Sequence, residues 1–178
     1  MARKGRPNPR ALPGAVPTGP AAVVVAVVGC LVLLGLETWG EVALGIADAQ
    51  STMTWLFGVY TLAAAFGEEL VFRGYLVVTG RGRVWLWGSV VLFSMVFALL
   101  HPFLWEWKGG PDGLVLHLDA KGFFSTGAIF VGSLWFYTVR FFGWNTQRSL
   151  LPCIAAHLTK NIGVLLIKAQ QGFVVGWW

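Results

Sequence analysis

The most informative stretch of this sequence is TMTWLFGVYTLAAAFGEELVFRGYLVVT, residues 52–79. It is apolar almost throughout, yet Glu68, Glu69 and Arg73 lie well inside it. A helix needs about 20 apolar residues to cross the roughly 30 Å of hydrocarbon in a bilayer, and this stretch is long enough. A charged side chain at that depth costs about 2.5 kcal/mol or more on insertion scales, so such charges are rare and usually functional. The stretch therefore predicts a membrane helix that carries a polar site.

Four further apolar segments surround this one, at about 21–39, 84–104, 123–143 and 149–168. None shows strand alternation bounded by hairpin turns, so helices are the expected structure. The composition agrees, because only 12% of the residues are charged, against about 25% in a typical soluble domain. The sequence predicts an all-α, polytopic membrane helix bundle of about five transmembrane helices. Residues 21–178 are expected to form a single transmembrane domain.

Basic residues collect in the N-terminal tail and in alternate loops. Residues 1–20 hold four basic residues and five prolines, which predicts a disordered basic tail. Eight basic residues fall on the side of this tail and three on the other, so the positive-inside rule makes the N-terminus cytoplasmic. The net charge of +5 forms no basic stripe, and no nucleic-acid partner is expected. Abundant Val, Ala, Gly and Arg is consistent with a bacterial chain, and the expected location is the inner (plasma) membrane, in contact with lipid.

The adjacent residues Glu68 and Glu69 are expected to lie in two different environments. Glu69 and Arg73 are four positions apart, so they share a helix face and can pair, which makes a buried charge tolerable. Glu68 points about 100° away around the helix and has no local partner. A carboxylate in that position is a candidate general base for water. The alternative is that both glutamates are structural or face a water-filled vestibule.

Three further polar residues lie on other helices. His157 and Asn161 share one face of the last segment and could both point at one acceptor, as in an oxyanion hole; hydrogen bonding between helices is the alternative. His101 precedes Pro102, which is expected to end its helix, and taken alone it would be an interfacial anchor. Counted from the loop at 81–83 along straight helices, His101 and Glu68 differ in depth by about 7–8 Å. Helix tilt or a break is needed to bring them together, and Lys160 remains without a role.

These residues form three motifs: E-E-x-x-x-R at 68–73, F-x-x-x-H at 97–101 and H-x-x-x-N at 157–161. In this order, on successive membrane helices, they resemble the CAAX prenyl protease and bacteriocin-processing family of intramembrane glutamate endopeptidases. The resemblance covers roughly residues 52–168, which is the expected catalytic core. It includes the approach Arg148-Ser149-Leu150-Leu151-Pro152 before the last motif.

The resemblance implies peptide hydrolysis and a role for each polar residue. Glu68 activates water with help from His101, and the tetrahedral oxyanion is stabilised by His157 and Asn161. Two residues support the site, Glu69 bracing Arg73. No cofactor and no metal are implied. The implied substrate is a peptide or protein with a membrane-embedded terminus, such as a C-terminal sorting tail or a leader peptide.

Two other interpretations of the function remain possible from the sequence. A non-catalytic membrane scaffold or immunity-type protein would keep the architecture, but it would have no catalytic need for Glu68 together with Asn161. A zinc-dependent membrane protease could use two His and a Glu as ligands with one open position, although the sequence has no H-E-x-x-H helix. A proton-coupled transporter is disfavoured because the sequence shows no repeats or paired broken helices.

Overall fold

Five helices in the described part of the chain are long and apolar enough to cross a membrane. The computed structural model describes residues 12–110 and 113–178. In chain order the helices are α1 (Pro20–Ala43), α2 (Trp55–Glu68) continued by a π-helix (Glu69–Tyr75), α3 (Arg83–Leu100), α4 (Ala120–Phe141) and α5 (Leu151–Gln170). The predicted helical membrane bundle is confirmed.

Helix α1 packs along α5, the helix that carries two of the predicted site residues. Small residues allow the close approach, since a Cβ at Gly163 of α5 would lie 2.3 Å from Leu34 Cδ2 of α1. On another side of α1, a Cβ at Gly29 would lie 2.1 Å from the Trp135 ring of α4. The Cys30 thiol donates to Ala156 O at 3.1 Å. Packing of this kind, rather than a hydrophobic effect between helices, holds membrane helices together, so α1 supports the backbone beside His157.

The second membrane helix ends at Tyr75, four residues before the predicted end at 79. Its last part is a π-helix, whose closing turn is held by Tyr137 Oη, 2.8 Å from Phe72 O and 2.9 Å from Leu76 O. The chain then runs back along α3, and Val78 N donates to Ser89 Oγ at 3.1 Å. A tertiary contact from α4 therefore ends the helix earlier than its apolar pattern suggests.

The path of residues 76–82 affects the depths of Glu68 and His101 that were estimated from straight helices. Val78 lies beside Ser89, which is in the second turn of α3. The end of the second membrane helix is therefore not level with Arg83, the first residue of α3. The Phe72 and Phe97 rings meet edge to face at 4.9 Å. Glu68 lies about one turn beyond Phe72, and His101 lies one turn beyond Phe97, on the same side. The depth estimate assumed straight helices joined by a short turn, and residues 76–78 do not follow that course.

Residues 12–19 contact the start of α5. Leu150 N donates to Gly14 O at 3.0 Å, and Ser149 Oγ donates to Val16 O at 2.7 Å. The sequence placed these residues in a disordered tail of residues 1–20, whereas they make defined hydrogen bonds here. The remainder of that predicted tail, residues 1–11, lies outside the described residues.

A small hairpin follows His101 in the loop between α3 and α4. Strands β1 (Trp105–Trp107) and β2 (Leu114–Leu116) pair antiparallel. Trp105 Nε1 donates to Leu99 O at 2.7 Å, which fixes the hairpin to the last turn of α3. Gly122 at the start of α4 comes so close that a Cβ there would lie 2.7 Å from Phe103 O. The hairpin is thus held by the same helix ends that position His101.

Candidate active site

A buried ion pair forms the base of the site. Glu69 and Arg73 each have a side chain with 0% exposure, and Arg73 Nη1 lies 3.1 Å from Glu69 Oε1. The two residues are one turn apart in the π-helix, as their spacing predicted. The Arg73 guanidinium also donates to Ser133 Oγ at 2.7 Å, and Ser133 donates to Ser94 Oγ at 3.0 Å. The charge is therefore neutralised and hydrogen-bonded away from water, which a buried ion pair requires.

Aromatic rings enclose the remaining faces of the guanidinium. Three centroids lie 4.5–5.1 Å from Arg73 Cζ: those of Phe97, Phe136 and Tyr137. At these distances the π-faces attract a cation, by about 2 kcal/mol when desolvated. Arg73 Nε and Nη1 have no partner in hydrogen-bond geometry within the described residues. The contact with Glu69 is thus mainly Coulombic, and the rings supply part of the remaining stabilisation.

His157 joins the two glutamates. Its Nδ1 lies 2.8 Å from Glu69 Oε1, and its Nε2 lies 3.6 Å from Glu68 Oε2. Because an ionised carboxylate can only accept, the short contact places a proton on Nδ1. The ring is also stacked on Phe136, with centroids 4.8 Å apart. Glu69 and Phe136 together hold the imidazole so that Nε2 faces Glu68.

Glu68 and Glu69 differ most in their access to the surroundings. The Glu68 side chain is 34% exposed, whereas that of Glu69 is completely buried. Glu68 ends α2 and Glu69 begins the π-helix, so the two carboxylates leave the helix in different directions. Glu69 contacts Arg73 and His157, which leaves Glu68 as the carboxylate that is open to the surroundings.

His101 approaches the same place from the end of α3. Its backbone is extended, with φ −81° and ψ 124°, so the helix ends at Leu100 as Pro102 predicted. Its Nδ1 lies 2.8 Å from Phe97 O, and because a carbonyl only accepts, Nδ1 carries the proton and Nε2 is the free acceptor. The Phe97 ring contacts both His101, at 4.7 Å, and His157, at 6.1 Å. His101 also lies within electrostatic range of Glu68.

Asn161 and Lys160 contact other helices. Asn161 Nδ2 donates to Thr61 O on α2 at 3.0 Å, so one of its two amide hydrogens links α5 to α2. Lys160 Nζ donates to Glu37 Oε2 on α1 at 2.7 Å. A Cβ at Gly132 would lie 3.5 Å from that ammonium, so the glycine leaves room for it. The charge that had no role in the sequence is neutralised by a residue of α1.

The structure brings the predicted residues together to different degrees. Glu68, Glu69, Arg73 and His157 form one contact network, and His101 reaches it through Phe97. Asn161 follows His157 by one turn but is bonded to Thr61. The sequence analysis missed three polar residues that hydrogen-bond to Arg73, to each other or to the π-helix backbone: Ser94, Ser133 and Tyr137. The one sign of them in the sequence was a polar side chain inside an apolar helix. Across residues 12–110 and 113–178, no group of three or more His, Cys, Asp or Glu side chains is arranged to hold a metal ion.

The site is thus a network of two carboxylates, an arginine and an imidazole inside a bundle of helices that are long and apolar enough to cross a membrane. These features are those of an integral membrane protein with a polar site between its helices. The family model described as type II CAAX prenyl endopeptidase Rce1-like matches residues 50–163, and the chain belongs to this family of CAAX-type intramembrane proteases. The matched region contains all six predicted site residues. No curated protein matches the chain, and no solved structure matches it.

Proposed function

We propose that this chain is an endopeptidase that hydrolyses a peptide bond near the membrane-embedded terminus of a peptide or protein, with Glu68 as the base. The observation that carries this proposal is the contrast between the two adjacent glutamates. Glu69 is buried and paired with Arg73, whereas Glu68 is one-third exposed. A general base must be able to reach the water that it deprotonates, and Glu68 meets that condition.

The proposed hydrolysis assigns one task to each of four side chains. Glu68 takes a proton from water, His101 Nε2 accepts a hydrogen bond from the same water, and the oxygen attacks the scissile carbonyl carbon. The resulting oxyanion receives hydrogen bonds from His157 Nε2–H, in the imidazolium form, and from Asn161. The tetrahedral intermediate then expels the amine, which takes the proton from Glu68. The products are a carboxylic acid and an amine, so one water is consumed and the glutamate is restored.

Glu69 acts through His157 in this proposal. Its Oε1 accepts from His157 Nδ1 at 2.8 Å, which fixes the ring with Nε2 towards Glu68. Arg73 holds the same oxygen at 3.1 Å and so prevents the carboxylate from rotating away. These two residues position the imidazole and do not touch the substrate.

Asn161 can serve two acceptors at once. A side-chain amide has two N–H donors, and one is used by Thr61 O. The second is available for the oxyanion, on the helix face that also carries His157. The bond to Thr61 supports the proposed role because it holds the amide in one orientation, and preorganised donors are the effective ones.

An apolar cleft of about 280 Å³ supports a hydrophobic substrate. Most of its lining comes from residues 12–17 and 149–151, and Phe66, Leu70 and Ile154 complete it. None of the proposed catalytic residues lines it, but Phe66 and Leu70 flank the two glutamates in sequence and Ile154 lies one turn before His157. A cleft of this kind can accept apolar side chains of a membrane-embedded tail, such as a C-terminal sorting tail or a leader peptide. The proposed orientation places the N-terminus in the cytoplasm of a bacterial cell.

The test compares cells that produce the wild-type chain with cells that produce Glu68→Gln. Quantitative mass spectrometry of protein termini should find one or more membrane-protein termini that depend on the wild-type chain and are lost with Glu68→Gln, because an amide cannot take a proton from water at neutral pH. Glu106→Gln is the matched control, since Glu106 is an exposed hairpin glutamate and should leave cleavage unchanged. Identical termini in wild type and Glu68→Gln, at equal protein levels, would support the non-catalytic scaffold instead.

A further inference from the structure

The end of α4 holds two arginines without a carboxylate partner. Arg140 is only 7% exposed, and its Nη1 has no hydrogen-bond partner within the described residues. Arg148 is exposed and lies nearby, because Arg140 Nε donates to Arg148 O at 3.3 Å. Both guanidiniums lie over the Phe141 ring, at 5.0 and 5.8 Å. Two like charges are thus held side by side on one aromatic ring.

Three other buried or half-buried cations are paired with carboxylates. Arg73 pairs with Glu69, Lys160 with Glu37 and Lys121 with Glu41. Within the described residues no such ion pair involves Arg140 or Arg148, and residues 1–11 contain no Asp or Glu. A buried charge without a partner costs several kcal/mol. An external anion would remove that cost.

The loop that carries Arg148 is rigidly built. Arg148 has φ 55°, a left-handed conformation that is uncommon for a residue other than glycine. Its N–H donates to Asn145 O at 2.9 Å. The buried Asn145 side chain in turn accepts from Ser149 N at 3.0 Å and donates to Ser149 O at 2.8 Å. Strained backbone persists where the surroundings hold it in place, and it is common at ligand sites.

The surroundings of the two arginines indicate a membrane surface. Phe142 and Trp144 are stacked at 4.7 Å and are 48% and 39% exposed, as aromatic residues at the headgroup level often are. They follow directly after α4 leaves the bundle. Exposed aromatic rings beside two arginines at a helix end are the surroundings expected at the headgroup level of a bilayer.

We propose that Arg140 and Arg148 bind the phosphate of an anionic phospholipid. The planar donors of Arg suit a phosphate in bidentate geometry, and basic pockets at helix ends are known to hold lipid headgroups. Arg148 supplies the exposed donors, and the mostly buried Arg140 guanidinium supplies a second positive charge behind them on the same ring. Bound lipid would neutralise the charge at the loop that joins α4 to α5, and α5 carries His157, so the site connects membrane composition with the helix of the active site.

The experiment uses the full chain in nanodiscs of phosphatidylcholine with and without phosphatidylglycerol. Native mass spectrometry of the wild type released from the nanodiscs should show more bound phosphatidylglycerol than phosphatidylcholine. The Tm of the wild type should be higher in nanodiscs that contain phosphatidylglycerol. Arg140→Gln and Arg148→Gln should each weaken phosphatidylglycerol retention by about tenfold, since each removes a charged partner of the bound phosphate, and an interaction with a charged group is worth roughly 1.5 kcal/mol. Arg81→Gln, an exposed arginine of the α2–α3 connection, should not.

The Tm in pure phosphatidylcholine distinguishes a ligand site from a structural arginine. Arg140→Gln removes an uncompensated buried charge, so its Tm there should equal or exceed that of the wild type. A Tm lowered equally in both lipids would overturn the proposal, since it would mean that Arg140 acts through its bond to Arg148 O. Equal retention of the two lipids by the wild type would also overturn it. Inorganic phosphate that raises the Tm in phosphatidylcholine as much as phosphatidylglycerol does would refute the assignment to a lipid.

Discussion

Replacing Glu69 by Gln should destabilise the protein strongly without changing its shape. The substitution leaves Arg73, which has 0% exposure, without its counter-charge, and removal of one partner from a buried pair typically costs about 3–5 kcal/mol. The ring contacts of Arg73 and its bond to Ser133 remain. Because these offset part of the loss, we expect the lower end, about 3 kcal/mol.

A second substitution should restore much of that stability. In Glu69→Gln with Arg73→Met, no buried charge is left unpaired, and an apolar chain lies among the same aromatic rings. Replacement of a buried ion pair by apolar residues is often neutral, so the double variant should be more stable than Glu69→Gln alone. Cleavage should not return, because residue 69 no longer offers His157 Nδ1 the carboxylate that orients the ring.

The free energy of unfolding can be measured by titration with sodium dodecyl sulfate in mixed micelles, followed by the fluorescence of the ten tryptophans. Together with Arg73→Met alone, the variants form a double-mutant cycle whose coupling energy isolates the pair. Glu68→Gln is the matched control, because it changes the adjacent, partly exposed carboxylate and should stay within about 0.5 kcal/mol of wild type. A Glu69→Gln variant as stable as Glu68→Gln, or a coupling energy near zero, would refute this account of the site.

Three further predictions concern residues of α5 and the metal alternative. His157→Ala and Asn161→Ala should each lower kcat by about 10²–10³, as loss of one oxyanion donor does, with KM nearly unchanged; a rise in KM alone, from steady-state kinetics on an identified tail peptide, would make them binding residues. A chelator should leave turnover unchanged, and activity that is lost with chelator and restored by zinc would promote the zinc protease. Lys160→Met should destabilise the protein in the same titration, and adding Glu37→Gln should restore stability; additive losses would contradict the buried pair.

The parts of the fold that depend on local periodicity were predictable from the sequence. The apolar segments marked the helices, and the spacing of Glu69 and Arg73 predicted their pairing because residues four apart share a helix face. Pro102 likewise predicted the end of α3 beside His101. Each of these inferences needs only residues within one or two turns of each other.

The remaining features depend on contacts between distant segments. The early end of the second membrane helix rests on Tyr137 and Ser89, and the neutralisation of Lys160 rests on Glu37, 123 residues away in the chain. No periodicity within a helix contains such information. The hydrogen bond from Asn161 to Thr61 belongs to the same group, since it links α5 to α2.

The acidic pair shows how two adjacent, identical residues acquire different chemistry. Consecutive side chains on a helix point about 100° apart, so Glu69 faces Arg73 and His157 while Glu68 faces the partly open side. The buried carboxylate is committed to a cation and an imidazole, and it cannot also hold a water molecule. The exposed carboxylate has only the 3.6 Å contact with His157 Nε2.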